Sequence, residues 1–273
     1  MTRTCIRRSE VSSPAPASSL AERPSSSVHR FFVPEVRGRG LVELPTAETR
    51  HATRVLRLSS GESVTILDGQ GGEFLGRLEV SGSETAHVRI ESHRQHPTPE
   101  TLVTLIQSVA KGPAMEGLIH RAVELGCGRL VPVISEHSVS RPDSASDKQS
   151  KWQSIAVEAA KQSGNPWRMT VELPESIRNW IARKEAFELL LVASLEAETQ
   201  PPHVWLEEFY SKHQRAPRTM GILIGPEGDF SPSEYEAFRR AGARPFSLGP
   251  RVLRVETAAT AALAVLQSLL CVR

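Results

Sequence analysis

The sequence predicts an α/β fold with a mostly parallel sheet, preceded by a smaller β-rich domain. Beyond residue 100, short apolar runs alternate with segments of helical spacing, the pattern of a parallel sheet covered on both faces. Before residue 95, closely spaced strands are separated by Gly-rich turns and interrupted by one helix, the pattern of a small barrel. The stretch between them, Arg94-Gln95-His96-Pro97-Thr98-Pro99-Glu100, suits a linker. A chain of 273 residues has room for two domains. Its 39% hydrophobic and 23% charged residues are enough to build a core and a solvated surface.

Taken in order, residues 1–27 are rich in Ser, Pro and Ala without apolar periodicity and are expected to be a disordered tail. Their Arg and Ser content resembles a transit peptide, but Glu10 and Glu22 count against one. Residues 28–95 form the small domain. Arg30-Phe31-Phe32-Val33 reads as a strand, and Thr46 through Leu58 as a helix with Thr46 as N-cap after Pro45. Val64–Leu67, Glu73–Val80 and Ala86–Ile90 follow as strands, joined by turns at Asp68–Gly72 and Ser81–Ser83. Residues 96–100 link to the larger domain, 101–273. There Leu102–Ile106, Leu130–Ile134, Leu189–Ala193, Ile222–Ile224 and Phe246–Leu248 read as strands. Met115, Leu118, Ile119, Ala122 and Leu125 mark one helix, closed by Gly126 and Gly128. Trp152, Ile155, Ala156, Ala159 and Ala160 mark the next, and Thr257–Leu270 an Ala-rich last one.

Several function classes fall away. No apolar run reaches the ~20 residues of a membrane span. Three cysteines at scattered positions, Cys5, Cys127 and Cys271, indicate neither a disulfide framework nor a zinc site, and fit a reducing, cytoplasmic setting. The nine histidines form no HExxH or HxH pair, so no metal is expected. His51, His120 and His137 read as surface or structural. Neither a GxSxG elbow, nor GxxxxGK[ST], nor GxGxxG after a strand is present. A net charge of +2 leaves nucleic-acid binding to local patches. One candidate patch is Arg50, Arg54 and Arg57, which at i, i+4 and i+7 share a helix face. That face is either a phosphate-contacting stripe or simply solvated.

Chemistry concentrates in two strand-end loops. Ile222-Leu223-Ile224 runs into Gly225-Pro226-Glu227-Gly228, and Leu248 into Gly249-Pro250-Arg251-Val252-Leu253-Arg254-Val255-Glu256-Thr257. In open α/β sheets ligands bind beyond the carboxyl ends of the strands, so these two strand ends are expected side by side, forming a crevice. Ser231-Pro232-Ser233-Glu234 reads as a capping box that already fills its helix N-terminus. That argues against a phosphate there and for a flat, neutral or cationic ligand approached by glycine backbone. Arg251, Arg254 and Glu256 lie between a buried strand and a buried helix, where charge is costly unless paired or used.

At these residues the chain resembles the bacterial methyltransferases that modify uridine N3 in 16S, small-subunit ribosomal RNA. The two loops together carry the likeness. Arg30-Phe31-Phe32, Val55-Leu56-Arg57 with Gly61, and Asp68-Gly69 extend it to the amino-terminal domain. Gln107, Lys111, Met115-Glu116, Glu124-Leu125-Gly126, Ser135-Glu136, Ser138-Val139 and Glu158-Ala159-Ala160 with Gln162-Ser163-Gly164 extend it across the rest. The resemblance implies a SPOUT-type trefoil-knotted parallel sheet behind a PUA-like β-barrel, S-adenosylmethionine as cofactor, and a homodimer with the pocket near its two-fold interface. It places Leu195, Leu223, Ile224, Gly225, Pro226, Glu227, Gly228, Leu248, Gly249, Leu253 and Thr257 around the cofactor. The sequence departs from the family's usual pattern at Asp229, where a second glycine is common, and at Ala114, His137 and Asn165, where cations are common.

For such a reaction Arg254, and after it Arg251, would stabilise charge on the uracil oxygens, while Glu256 would orient an arginine or act as base. Arg30, Arg50, Arg54, Arg57, Lys111, Arg121, Arg141 and Lys161 are expected to grip the ribosomal RNA or the assembled small subunit. Three alternatives stay open on residues alone: the same chemistry on another RNA base, a non-catalytic PUA-type RNA-binding protein, and a small-molecule α/β enzyme.

Overall fold

The computed structural model describes residues 29–34, 36, 40–82, 84–140, 144–195 and 199–271. The expected tail at 1–27 and Arg141 lie outside the described residues. The amino-terminal part is a five-stranded sheet of β1 (His29–Phe32), β2 (Leu41–Glu43), β3 (Ser63–Leu67), β4 (Gly72–Val80) and β5 (Ala86–Gln95), in the order β1-β3-β4-β5-β2. Only the β1–β3 pairing is parallel. Alternation fixes its inner face: Phe74, Leu78, Val88, Val64 and Ile66 are buried with Phe31 in one core. On the outer face Arg77 sits opposite Arg89, a repulsive pairing. It is relieved by cross-strand carboxylates, Glu91 at 3.1 Å from Arg77 and Glu79 at 2.6 Å from Arg89.

The helix expected over Thr46–Leu58 is shorter and irregular. An α-helical turn, α1 (Thr46–Arg50), passes into a π-helical turn over His51–Val55, and Arg57 follows with φ 56°. Thr46 is the first helical residue rather than the cap; Pro45 precedes the helix without a side-chain cap. The wider π turn shifts the angular spacing, so Arg57 no longer continues a face shared by Arg50 and Arg54.

The larger part is a seven-stranded parallel sheet: β6 (Leu102–Ser108), β7 (Arg129–Ile134), β8 (Thr170–Val171), β9 (Glu175–Ser176), β10 (Leu189–Ala193), β11 (Thr219–Ile224) and β12 (Arg244–Phe246). The order is β12-β10-β11-β6-β7-β8, with β9 also on β7. β11 and β12 are therefore not neighbours, contrary to the side-by-side placement expected of the two loops; β10 lies between them. Both faces are covered. α2 (Gly112–Glu124), α3 (Ala145–Ser163), α5 (Pro202–His213) and α7 (Val255–Cys271) pack on one face, α4 (Ile177–Ala182) and α6 (Pro232–Arg240) on the other. Strands buried on both sides read as continuous apolar runs, which is why they stood out in the sequence. Among the described residues no helix is long and apolar enough to cross a membrane.

The two sheets are joined by a polar and an aromatic contact. Lys161 on α3 is buried, its ammonium 2.9 Å from Glu48 of α1 and 2.7 Å from Glu158. Burial pulls its pKa down, but the hydrogen bonds to Glu158 and Glu48 outweigh that and hold it raised. Arg30 donates to the carbonyls of Lys161 and Gln162, both at 3.3 Å. Beside them the Asp68–Gly72 turn meets the loop after α3: Gly71 N donates to Pro166 O at 3.0 Å, and Arg168 N to Gly69 O at 3.0 Å. Gly71 has φ 88°, and a Cβ there would fall 2.4 Å from the Trp167 ring, so only glycine fits.

A buried ion pair that loses one partner leaves an uncompensated charge. Lys161→Ala is expected to destabilise the protein by about 3 kcal/mol in urea unfolding. The double variant Lys161→Met/Glu48→Leu should recover most of that loss, because apolar groups of similar volume replace the pair.

Candidate functional site

At the carboxyl edge of the sheet, the ends of β10, β11 and β12 open into a cavity of about 510 Å³. β11 reaches it as a strand buried from Met220 to Ile224. Gly221 lets β10 approach, since a Cβ there would lie 2.6 Å from Leu190 Cδ1. The chain then turns through Gly225-Pro226-Glu227-Gly228-Asp229-Phe230 into α6. Ser231 caps that helix, and Glu234 closes the capping box, with Ser231 N donating to Glu234 at 2.8 Å. The other Glu234 oxygen accepts from Glu136 N at 2.9 Å, tying the loop after β7 to this turn. His137 adds a second tie, its Nδ1 donating to Gly228 O at 3.1 Å and Asp229 O at 3.0 Å. These carbonyl contacts raise the His137 pKa, with Glu136 and Glu234 acting in the same direction and desolvation opposing.

The turn holds Asp229 at φ 60°, a region costing a non-glycine residue roughly 1–2 kcal/mol. Its side chain stabilises it there. Oδ1 accepts from Tyr235 OH at 2.7 Å and from Phe230 N at 2.8 Å. Tyr235 OH also lies 3.3 Å from Ala193 O, at the end of β10. On the other side of the cavity Ser194 N donates to Phe246 O at 3.0 Å, joining β10 to β12. Ser247 then braces Gly249 through N–H and carbonyl contacts of 3.2 and 3.1 Å. Gly249 has φ 119°, which a side chain would strain.

Of the residues singled out in sequence, the cavity gathers Leu195, Ile224, Gly225, Pro226 and Glu227 with Leu248, Gly249, Arg251, Leu253, Arg254 and Glu256. Three fall outside its lining. Leu223 points to the opposite face of the sheet, into the core with Phe230 and Phe238. Gly228 packs against His137, where a Cβ would lie 3.1 Å from His137 Cβ. Thr257 is exposed on the first turn of α7. Arg251 and Arg254 are exposed and Glu256 half-buried, so these charges sit at the mouth rather than between buried elements. Among the described residues neither arginine has a carboxylate partner within salt-bridge distance.

The cations expected to hold RNA are dispersed. Lys111, just before α2, lines the cavity with Ala114. Arg50 and Arg54 share Glu84, at 3.0 and 3.7 Å. Arg121 is exposed on α2. Lys161 and Arg30 belong to the junction between the sheets, so Lys161 is not the free cation it was expected to be; its charge is consumed by Glu48 and Glu158. The lining also includes Ala193, Ser194, Ser247, Val252 and Asp229. Ser194 follows the apolar run Leu189–Ala193, and applying the strand-end rule to that run would have found it. Among the described residues no three His, Cys, Asp or Glu side chains are grouped to hold a metal ion.

Residues 97–267 match the RNA methyltransferase domain family, and residues 44–91 the RNA methyltransferase PUA domain family. A ribosomal RNA small subunit methyltransferase E of Synechocystis is 31% identical over 257 residues, 92% of this chain and 82% of that protein. The chain belongs to the ribosomal RNA small subunit methyltransferase E family. Its fold agrees with solved relatives. The enzyme of that name from Neisseria gonorrhoeae, bound to S-adenosyl methionine, superposes with a TM-score of 0.77 at 29% identity, covering 89% of this chain and 98% of that one. A Legionella pneumophila methyltransferase in complex with the cofactor SAM gives 0.79 at 29% identity, with the same coverage. An α/β fold with a parallel sheet and a smaller amino-terminal sheet domain is common to them.

Because the folded pKa of His137 is raised, its contribution is fully present below the unfolded value of ~6.5 and fades as pH rises through the folded value. The Tm difference between wild type and His137→Ala should therefore be larger at about pH 5.5 than at about pH 8.5. Equal differences at the two pH values would overturn a stabilising role for the His137 contacts with Gly228 and Asp229.

Proposed function

We propose that this protein transfers a methyl group from S-adenosylmethionine to N3 of a uridine in 16S, small-subunit ribosomal RNA, free or in the assembled subunit. One observation carries this reading: three strand-end loops converge on a cavity whose mouth presents two arginines that have no acidic partner among the described residues. The division of labour follows the sequence boundaries, with residues 28–95 as the RNA-binding PUA-like barrel, 96–100 as linker and 101–273 as the SPOUT methyltransferase domain.

The lining fits the cofactor. A cavity of about 510 Å³ lies within the ~300–1,000 Å³ of small-molecule sites. Leu195, Leu248, Val252 and Leu253 offer apolar walls for a base, and Ser194 and Ser247 offer hydroxyls. A Cβ on Gly249 would meet nothing within 4 Å, so its backbone borders open space where a ligand can approach closely. Glu227, Asp229 and Glu256 suit a ligand carrying positive charge. S-adenosylmethionine supplies an electrophilic methyl group on a cationic sulfur.

The chain's side chains must do the rest. Uridine N3 bears a proton that leaves as the N–C bond forms, and the negative charge that develops spreads onto O2 and O4. Arg254 supplies a guanidinium aimed at that charge, with Arg251 behind it; neither changes protonation state in doing so. Glu256 either accepts the N3 proton or turns Arg254 toward the oxygen, and Glu256→Gln separates these roles because an amide orients but is no base. The tied loops hold the two reactants in line. N3 is hidden in base pairs, so the target uridine enters unpaired or flipped. Lys111 at the cavity, Arg121 on α2, Arg50, Arg54 and Arg57 of the small domain, and Arg141 are assigned to the RNA backbone.

The trefoil knot, the homodimer and a cytoplasmic site of action belong to the same proposal. The exposed apolar side chains Leu195 and Val252, at 59% and 77% exposure on the cavity lining, support a second copy covering the cavity rim.

Small-subunit RNA from cells lacking the gene should lose one N3-methyluridine in nucleoside mass mapping; an unchanged profile overturns the proposal. Arg254→Ala should keep cofactor binding while single-turnover methylation falls by at least about 100-fold. Loss of binding instead would move Arg254 from the chemistry to the cofactor.

A further inference from the structure

We propose that Asp229 is a cofactor-binding residue whose carboxylate holds a cationic group of the methyl donor. This rests on the assignment of S-adenosylmethionine to the cavity. Asp229 lines that cavity and is half-buried. Its Oδ1 is saturated by two neutral donors, Tyr235 OH at 2.7 Å and Phe230 N at 2.8 Å. Its Oδ2 takes no hydrogen bond, and the carboxylate has no Lys, Arg or His partner, among the described residues. A half-buried carboxylate held by neutral donors alone calls for a positive charge, and the ligand of this cavity carries one on sulfur and one on its amino group.

The backbone is built to present that group. The residue adopts φ 60°, its carbonyl is fixed by His137 at 3.0 Å, and the next turn is closed by the Ser231–Glu234 capping box. A Cβ at position 225 would lie 3.2 Å from Asp229 Oδ1, so glycine there leaves the carboxylate its place. Strain kept by these two ties at a residue that lines a cavity marks a functional position. A turn needing only to connect β11 to α6 would be relaxed by glycine at 229.

Isothermal calorimetry on the full chain, with S-adenosylmethionine and S-adenosylhomocysteine as probes, tests this. Asp229→Asn keeps an oxygen for Tyr235 and Phe230 but removes the charge. Asp229→Gly removes the carboxylate and relaxes φ, so a loss in both variants does not come from strain. Both should bind S-adenosylmethionine about tenfold more weakly, the scale of one charge-assisted hydrogen bond. If S-adenosylhomocysteine weakens equally, the amino group is the partner; if its binding is unchanged, the sulfonium is. Unchanged S-adenosylmethionine affinity in both variants overturns the assignment of Asp229. Wild type that binds neither probe overturns the cofactor assignment itself, and the inference with it.

Discussion

The placement of β10 between β11 and β12 is the constraint on which the functional end of the molecule depends. All strands of this sheet run parallel, so their carboxyl ends meet at one edge, and the three loops leaving that edge have no other element between them. Close approach of β10 to β11 requires Gly221, because a side chain there would collide with Leu190. With β10 seated, Ala193 O reaches the Tyr235 hydroxyl on one side, while Ser194 N holds Phe246 O on the other. The middle strand thus braces both flanking loops.

The loops themselves are held by short-range polar ties rather than by apolar burial. Glu234 serves two turns at once, closing its own helix cap and accepting from Glu136 N. His137 fixes two successive carbonyls, those of Gly228 and Asp229, in the turn after β11. Donors and carbonyls satisfied on the outer side leave the inner side free for a ligand. The same economy operates at the junction of the two sheets. There Lys161 and Glu48 are buried as a pair, and Trp167 lies over a glycine turn, so the small sheet is docked at two points. Such docking fixes the small sheet against the larger one.

The charges at the cavity divide by role. The arginines are exposed and, among the described residues, without acidic partners, whereas Asp229 and Glu256 are half-buried. Under the proposed function, a cationic methyl donor and an anionic nucleophile ask for that separation: carboxylates inside for the donor, guanidinium groups at the mouth for charge developing on the acceptor and for phosphate.

Much of this was legible in the chain. Apolar runs such as Leu102–Ile106 and Leu189–Ala193 announce strands buried on both faces, since burial on both sides leaves no polar alternation. The Ser231–Glu234 cap and the Gly-Pro loops are local, because each is made by residues within a few positions of one another. Local rules stop where distant elements meet. The π turn at His51–Val55, the insertion of β10 between β11 and β12, and the turning of Leu223 into the far core all arise from packing. So does the burial of Lys161, which in sequence is one more helix cation and in space is the partner of Glu48, 113 residues away. The sequence by itself singled out two Gly-Pro strand ends with Arg251, Arg254 and Glu256, which line one cavity. Only the tertiary structure decided which side chains face the cavity, because that depends on strand order and on contacts between residues far apart along the chain.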